Sequence, residues 1–249
     1  MIFDLIVGVH SIQMALEKRN FAEAELFTTK ETLDTHLQKF KQNSRVDIHL
    51  LGNEELQREA QRRFTREGFE YQRVPNGAFL IIDAKPIRDL NWIYSQLEKN
   101  NELKIVAIDN VTDVHNRAAI FRTAAFFGVH CILLSQKNLD TLPPSFYRIS
   151  SGGAELVEIV NCASLSRAID SLNQKGVLSL GFDERGESFE NLNLKSGPVA
   201  MVLGAEDVGL SNSVQRSISK IVSLNGPGEL KTLNVSVSAS VAMQKMWGV

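Results

Sequence analysis

Val199-Ala-Met-Val-Leu203, followed by Gly204-Ala-Glu206-Asp-Val-Gly209-Leu-Ser211, is the stretch of sequence that decides the fold of this chain. Five consecutive apolar residues that end at a glycine are typical of a strand buried on both faces of a parallel sheet. A second apolar run, 218–224, leads into the loop Asn225-Gly-Pro-Gly228. Strands that end in loops carrying Gly, Glu and Asn predict a ligand site at the carboxyl ends of neighbouring strands.

Outward from this stretch, strand-like and helix-like segments alternate along the chain, which predicts an α/β fold. The Asn100-Asn101 pair between periodic segments is the best candidate for a domain boundary, so we predict domains at 1–98 and 99–249. In the first domain the expected strands are 24–27, 46–51 and 79–82, and the expected helices are 33–41, 54–66 and 92–97. In the second domain the expected strands are 104–108, 129–134, 156–160, 177–182 and 199–203, and the expected helices are 116–127, 164–175 and about 233–247.

Composition excludes several classes of protein. The longest apolar runs have five or six residues, far below the roughly 20 that a membrane span needs, and no basic segment with a long apolar stretch begins the chain. We therefore expect a soluble, cytoplasmic protein that contacts no membrane. Two cysteines without a secretory signal indicate reduced thiols, and five scattered histidines predict no metal site.

The net charge of −2 gives no general signature of nucleic-acid binding, so any RNA contact must come from local patches. One candidate patch is the row formed by Arg58, Arg62 and Arg66, which recur every four residues and share one face of a predicted helix. These arginines could contact phosphates. The alternative is a solvated helix face, because four glutamates lie among them: Glu54, Glu55, Glu59 and Glu67.

Three blocks, in this order, carry a resemblance to a known family. They are Asn116-Arg-Ala-Ala-Ile-Phe-Arg122-Thr-Ala, Leu203-Gly-Ala-Glu206-Asp-Val-Gly209-Leu-Ser211, and Leu233-Asn-Val-Ser-Val237. With these blocks the chain resembles the SpoU-type branch of the SPOUT superfamily, whose members are 2′-O-ribose RNA methyltransferases. The resemblance is close over 100–249 and looser over 8–83.

The resemblance implies a fold that periodicity alone does not indicate. Knotted chains are essentially absent from ordinary folds, yet this family has a C-terminal trefoil knot that shapes a pocket for S-adenosylmethionine. By the same resemblance, the N-terminal domain is a smaller α/β domain that binds the RNA substrate. The implied function is S-adenosylmethionine-dependent 2′-O-methylation of RNA, with rRNA favoured over tRNA.

Residue roles follow from the resemblance, position by position. Arg122 matches the family's catalytic arginine; because a guanidinium has a pKa above about 12, we favour a role in clamping phosphate and stabilising alkoxide charge over that of a free base. Asn116 is expected to cap its helix and orient the active-site loop, Glu206 to pair with Arg122 or a loop amide, and Asn234 to hold the ligand or the arginine. The residues expected around the cofactor are Leu203, Gly204, Leu224, Thr232 and Leu233, and Arg117 is expected to add positive charge along the RNA path.

Two further expectations concern the end of the chain. The family commonly has Ile-Pro-Met where this chain has Leu224-Asn225-Gly226, which puts cofactor affinity in doubt and leaves open an RNA-binding module or assembly factor without methyltransferase activity. The closing helix predicts a homodimer through the C-terminal domain, because it carries more large apolar side chains than a solvent-facing end normally keeps. They are Val237, Val241, Met243, Met246 and Trp247.

Overall fold

A computed structural model describes residues 3–135, 142–194, 196–230 and 232–248. The chain forms two compact units: the first consists of the residues up to Pro86 together with the segment that ends at Leu156, and the second contains the remaining residues. None of the helices in the described ranges combines the length and the apolarity that crossing a bilayer requires.

The first unit contains a four-stranded sheet in the order β1-β4-β2-β3. Its strands are β1 (Phe3–Val7), β2 (Ala24–Thr28), β3 (Val46–Leu50) and β4 (Ala78–Asp83). The strands β1 and β2 pair antiparallel with β4, and β2 pairs parallel with β3. The helices are α1 (Val9–Lys18), α2 (Lys30–His36) and α3 (Asn53–Arg66). Leu56, Ala60 and Phe64 recur every four residues on α3, and this apolar stripe packs with Phe27 and Phe79 of the sheet in one core cluster.

A segment from the second half of the sequence completes the first unit. It holds two short helices, α6 (Pro144–Ser150) and α7 (Gly153–Leu156), which pack on β1 and α1. Arg19 at the end of α1 donates two hydrogen bonds to Glu155, of 2.8 and 2.7 Å, and one of 2.6 Å to Asp4. Burial alone would lower the pKa of Arg19, but the two carboxylates outweigh it and raise that pKa. These buried ion pairs join α7 to α1 and β1.

The second unit contains a six-stranded, fully parallel sheet in the order β10-β8-β9-β5-β6-β7. Its strands are β5 (Lys104–Ile108), β6 (Cys131–Ser135), β7 (Glu158–Cys162), β8 (Leu178–Ser188), β9 (Val199–Leu203) and β10 (Lys220–Ser223), and its helices are α4 (Leu90–Leu97), α5 (Val114–Phe126), α8 (Leu165–Gln174), α9 (Asn212–Ser217) and α10 (Val235–Trp247). The strand β9 is buried at every position, as its uninterrupted apolar sequence predicts.

The structure corrects the predicted domain boundary in two ways. The first unit ends at Pro86, twelve residues before the predicted end, because Arg88 pairs with β7 and α4 packs Ile93 into the core of the second unit. The segment with α6 and α7 was assigned to the second domain by sequence order, although it packs in the first unit. Neither of these helices was predicted, nor was α9, because each has fewer than eight residues and shows little periodicity.

Candidate functional site

Two adjacent strands of the second unit, β5 and β9, end together at one edge of the sheet, beside the middle of β8. In the registers of the paired strands, Leu203 at the end of β9 lies beside both Ile108 of β5 and Phe182 of β8. The strand order changes direction here, since β6 and β7 continue outward from β5 whereas β8 and β10 lie beyond β9 on the other side. Such a switch point is where open α/β sheets bind ligands.

The loop after β9 folds tightly onto itself. Ala205 and Gly209 exchange two backbone hydrogen bonds of 2.9 and 3.1 Å. A Cβ at Gly204 would lie 2.3 Å from the backbone carbon of Gly209, so the missing side chain of Gly204 makes room for this turn. The buried Asp109, directly after β5, holds the end of this loop in place, because its Oδ2 accepts a 2.7 Å hydrogen bond from the backbone N–H of Ser211.

The turn places Glu206 beside the N-terminal ends of α5 and α10. Its Oε1 accepts hydrogen bonds from the Asn116 amide at 3.1 Å, from the backbone N–H of Val235 at 3.1 Å, and from the Asn234 amide. Asn234 Nδ2 also donates to Asn116 Oδ1 at 3.0 Å. The three residues come from sequence positions up to 118 apart and form one closed hydrogen-bonded group.

Two alternative partners were expected for Glu206, Arg122 or a loop amide, and the structure shows amides. The exposed Glu206 accepts from the side-chain amides of Asn116 and Asn234 and from the backbone N–H of Val235. Asn116 lies inside α5 and does not cap it; the cap is Asp113, whose Oδ1 accepts a 2.7 Å hydrogen bond from the backbone N–H of Asn116. Asn234 does cap α10, since its Oδ1 accepts from the backbone N–H groups of Ser236 and Val237.

A cavity of about 310 Å³ opens beside this group, at the carboxyl end of β9 and along the middle of β8. All five residues that the sequence placed around a cofactor line it, together with Glu206. Its walls are apolar where Phe182, Leu203 and Leu233 contribute, and charged where Asp183, Glu184, Arg185 and Asp207 contribute.

Sequence reasoning missed the contribution of β8 to this cavity. The predicted strand stopped at Phe182, whereas β8 continues to Ser188 and brings Asp183 and Arg185 to the cavity wall. The signal was present, because carboxyl ends of neighbouring parallel strands meet at one edge and Asp183 directly follows a predicted strand.

The structure separates the two arginines of α5. Arg122 is exposed, and no hydrogen bond or ion pair joins it to another residue within the described ranges. Arg117 is only 7% exposed, so its burial contradicts the expectation that it contacts RNA as a surface residue. The helix faces explain the difference, because Arg117 lies on a side of α5 with Phe121 and Ala124 that is buried in the core.

In the first unit, the predicted basic row lies on α3 as expected. Arg58, Arg62 and Arg66 are exposed; Arg62 donates a 2.8 Å hydrogen bond to Glu59, and Arg66 lies 3.9 Å from Glu67. The neighbouring Arg63 is held between Glu59 and Glu25 and is half-buried. The row is therefore partly neutralised by its own helix, which keeps both the phosphate-contact hypothesis and the solvated-face alternative open.

More than half of the chain matches a known family. A sequence model described as the SpoU rRNA Methylase family matches residues 103–244 of the chain. The chain is 28% identical over 242 residues to the 23S rRNA (guanosine-2′-O-)-methyltransferase RlmB of Acinetobacter baylyi, a match covering 95% of this chain and 93% of that protein. It is 32% identical over 142 residues to an uncharacterized tRNA/rRNA methyltransferase of Mycobacterium ulcerans, covering 57% of this chain and 46% of that one.

Solved structures share the fold. The SpoU methyltransferase AviRb of Streptomyces viridochromogenes superposes with a TM-score of 0.78 at 19% identity, covering 98% of this chain and 88% of that one. The complex of AviRb with its cofactor AdoMet gives a TM-score of 0.76 at 18% identity, covering 97% and 88% of the two chains. The α/β architecture, which includes the parallel sheet of the second unit, is therefore shared along nearly the whole chain.

Proposed function

Because this chain belongs to the SpoU rRNA methylase family, we propose that it transfers a methyl group from S-adenosylmethionine to the 2′-hydroxyl of a ribose in rRNA. The observation that carries the proposal is the closed group of Asn116, Glu206 and Asn234 beside the cavity at the end of β9 and along the middle of β8. These three side chains come from the three blocks that carry the family resemblance.

The cavity fits the cofactor in size and chemistry. A volume of about 310 Å³ lies at the small end of the range of ligand pockets, about 300–1,000 Å³. Leu203, Leu224 and Leu233 supply apolar contact for an adenosine, and the acidic residues of the wall suit a ligand with positive charge. When bound there, the cofactor would supply an electrophilic methyl group.

The protein's task in this reaction is mainly positioning, since holding two reactants in line supplies much of the rate. The Glu206 group ties the ends of α5 and α10 to the loop after β9, which fixes the cavity wall. We propose that the exposed Arg122 contacts a phosphate of the RNA and stabilises the negative charge that develops on the 2′-oxygen. Its lack of a bond to Glu206 leaves its donors free for this role.

The alternative of an RNA-binding module without activity rested on Asn225 and Gly226, where the family commonly has other residues. Within the described part of the chain, Leu224, Thr232 and Leu233 line the cavity but Asn225 and Gly226 do not. A change at these two exposed positions therefore removes no wall of the cavity, and the structure gives no support to the alternative.

We further propose the finer features that the resemblance implies: a trefoil knot in the second unit, an RNA-binding role for the first unit through Arg58, Arg62 and Arg66, a homodimer, and a cytoplasmic location with the ribosomal substrate.

The interface for the dimer needs revision from the sequence prediction. Met243 is fully buried in its own unit and Met246 packs on a core cluster, whereas Phe126 of α5 is 83% exposed and Val237 of α10 is 47% exposed. Since α5 and α10 pack together, these two helices are the better candidate surface.

The dimer has a direct test. Sedimentation of the wild-type chain should give twice the mass of one chain, and Phe126→Glu should give single chains. Phe126 is exposed, so its replacement should leave the unit folded; a wild-type chain that sediments as a monomer at micromolar concentration would disprove this interface.

The function is tested by incubating the protein with total RNA and methyl-labelled S-adenosylmethionine, then separating the RNA species. We expect label in 23S rRNA, the substrate named for the RlmB relative, and none with Arg122→Ala. Label only in tRNA would move the substrate to the second choice. No label in any RNA, from protein that binds the cofactor in calorimetry, would contradict the proposed activity.

A further inference from the structure

Asp183 and Arg185 form a charge pair in the cavity wall that no role proposed so far uses. They lie two residues apart in the part of β8 between Gly181 and Glu187, where the register against β10 shifts and the strand bulges. Arg185 Nε and Nη2 donate hydrogen bonds of 2.7 and 2.8 Å to the two carboxylate oxygens of Asp183, and the backbone N–H of Arg185 donates a third, of 3.0 Å. The Arg185 hydrogen bond holds the pKa of Asp183 below its ordinary value.

The two partners differ in exposure. The Asp183 side chain is 6% exposed and the Arg185 side chain is 66% exposed. The loop after β9 covers the aspartate, because a Cβ at Gly209 would lie 3.1 Å from Asp183 Oδ2. The carboxylate is thus covered, whereas the guanidinium, which also belongs to a residue of the cavity wall, is largely exposed.

We propose that this pair binds the α-amino acid end of S-adenosylmethionine, with Asp183 accepting from its ammonium group and Arg185 donating to its carboxylate. The inference rests on the proposed use of this cavity as the cofactor site. An α-amino acid carries an ammonium and a carboxylate on one carbon, and the pair presents the two opposite charges side by side.

Both groups keep capacity for these contacts while they stay paired. A carboxylate has about four lone-pair positions and Asp183 uses three of them for Arg185, and a guanidinium has five N–H donors of which Arg185 uses two. Charge-assisted hydrogen bonds of this kind are the stronger class. The nucleoside would then occupy the apolar part of the wall at Leu203, Leu224 and Leu233.

The experiment compares two ligands that differ in the amino acid end. S-adenosylhomocysteine and 5′-methylthioadenosine share the nucleoside and a neutral thioether, but only the first carries the amino acid group. Calorimetry should show that the wild-type chain prefers S-adenosylhomocysteine. In Arg185→Gln and in Asp183→Asn, the ratio of the two affinities should fall about tenfold, the effect of one lost charge-assisted contact, with the affinity for 5′-methylthioadenosine changed less than about twofold.

A matched control removes the same charge elsewhere in the unit. Lys245 pairs with Glu190 at 2.7 Å and does not line the cavity, so Lys245→Gln should keep the wild-type ratio. Arg185 is exposed, so Arg185→Gln should fold even where Asp183→Asn does not. An unchanged ratio in Arg185→Gln, with both ligands still bound, would overturn the inference and leave the cofactor site standing. If the folded wild-type chain binds neither ligand, the proposed cofactor site fails and the inference fails with it.

Discussion

Asn234 has two separable tasks, and its substitutions should separate stability from activity. Its Oδ1 caps α10 through the backbone N–H groups of Ser236 and Val237, at 2.9 and 3.4 Å. Its amide donates to Glu206 and Asn116. Loss of an N-cap oxygen costs about 1 kcal/mol, and loss of the two exposed amide bonds costs about 0.5 kcal/mol each.

Asn234→Ala loses both tasks, so we expect a loss of about 2 kcal/mol in the free energy of unfolding. For a chain of this size that corresponds to a fall of about 4–8 °C in Tm. Asn234→Ser keeps a capping oxygen but lacks the amide, so it should lose about 1 kcal/mol or less. Both variants should lose most of their methyl transfer, because both lose the amide of Asn234, which donates to Glu206 and to Asn116 and closes the hydrogen-bonded group.

The assays are thermal unfolding followed by circular dichroism and methyl transfer to rRNA at a temperature where both variants are folded. The serine variant is the matched control for capping. Wild-type turnover in Asn234→Ser would refute the reasoning, because the amide would then be dispensable. A wild-type Tm for Asn234→Ala would show that the cap contributes nothing.

Three other changes test separate parts of the molecule. Arg122→Ala should reduce turnover at least about 100-fold, while calorimetry shows unchanged cofactor affinity and Tm stays within about 2 °C, because the exposed side chain bonds to no other residue in the part of the chain that the structure describes. A matching loss of cofactor affinity would show that Arg122 binds the cofactor and not the RNA. Replacing Arg58, Arg62 and Arg66 together by Gln should lower the affinity for RNA and weaken its dependence on salt concentration, both measured by filter binding. An unchanged salt dependence would favour the alternative that these arginines only form a solvated face of α3. Glu155→Gln should lower the free energy of unfolding by about 3 kcal/mol in urea titrations, because it removes one of the two carboxylates that pair with the buried Arg19. A change below about 1 kcal/mol would show that this ion pair does not stabilise the packing of α7.

The elements that could be predicted from sequence were those with strong periodicity or long apolar runs. The strands β5 and β9 have the predicted bounds, 104–108 and 199–203, because a strand buried on both faces has an unambiguous apolar sequence. The helix α3 was expected at 54–66 and covers Asn53–Arg66, because its apolar stripe and flanking glycine define it. Short elements such as α7 depend on tertiary contacts, here with α1, which no local pattern reports.

In the candidate site, too, some residues could be predicted from the sequence and others could not. The five cavity residues and the Asn116, Glu206 and Asn234 group were found because they lie in the blocks that carry the family resemblance, and the structure brings each set together. The burial of Arg117 could not be found, because five residues separate it from Arg122, which places the two side chains about 140° apart around α5, and the sequence does not give the orientation of that helix. The Asp183 and Arg185 pair was missed because it lies outside these blocks.

The position of the transferred methyl group tests the central claim most directly. After incubation with 23S rRNA and trideuteromethyl S-adenosylmethionine, the RNA would be digested to nucleosides and fragmented in a mass spectrometer, which separates the ribose from the base. The account predicts that the deuterated methyl group stays with the ribose, as a 2′-O-methylated nucleoside that also resists alkaline cleavage on its 3′ side. A deuterated methyl group found on the base would contradict it.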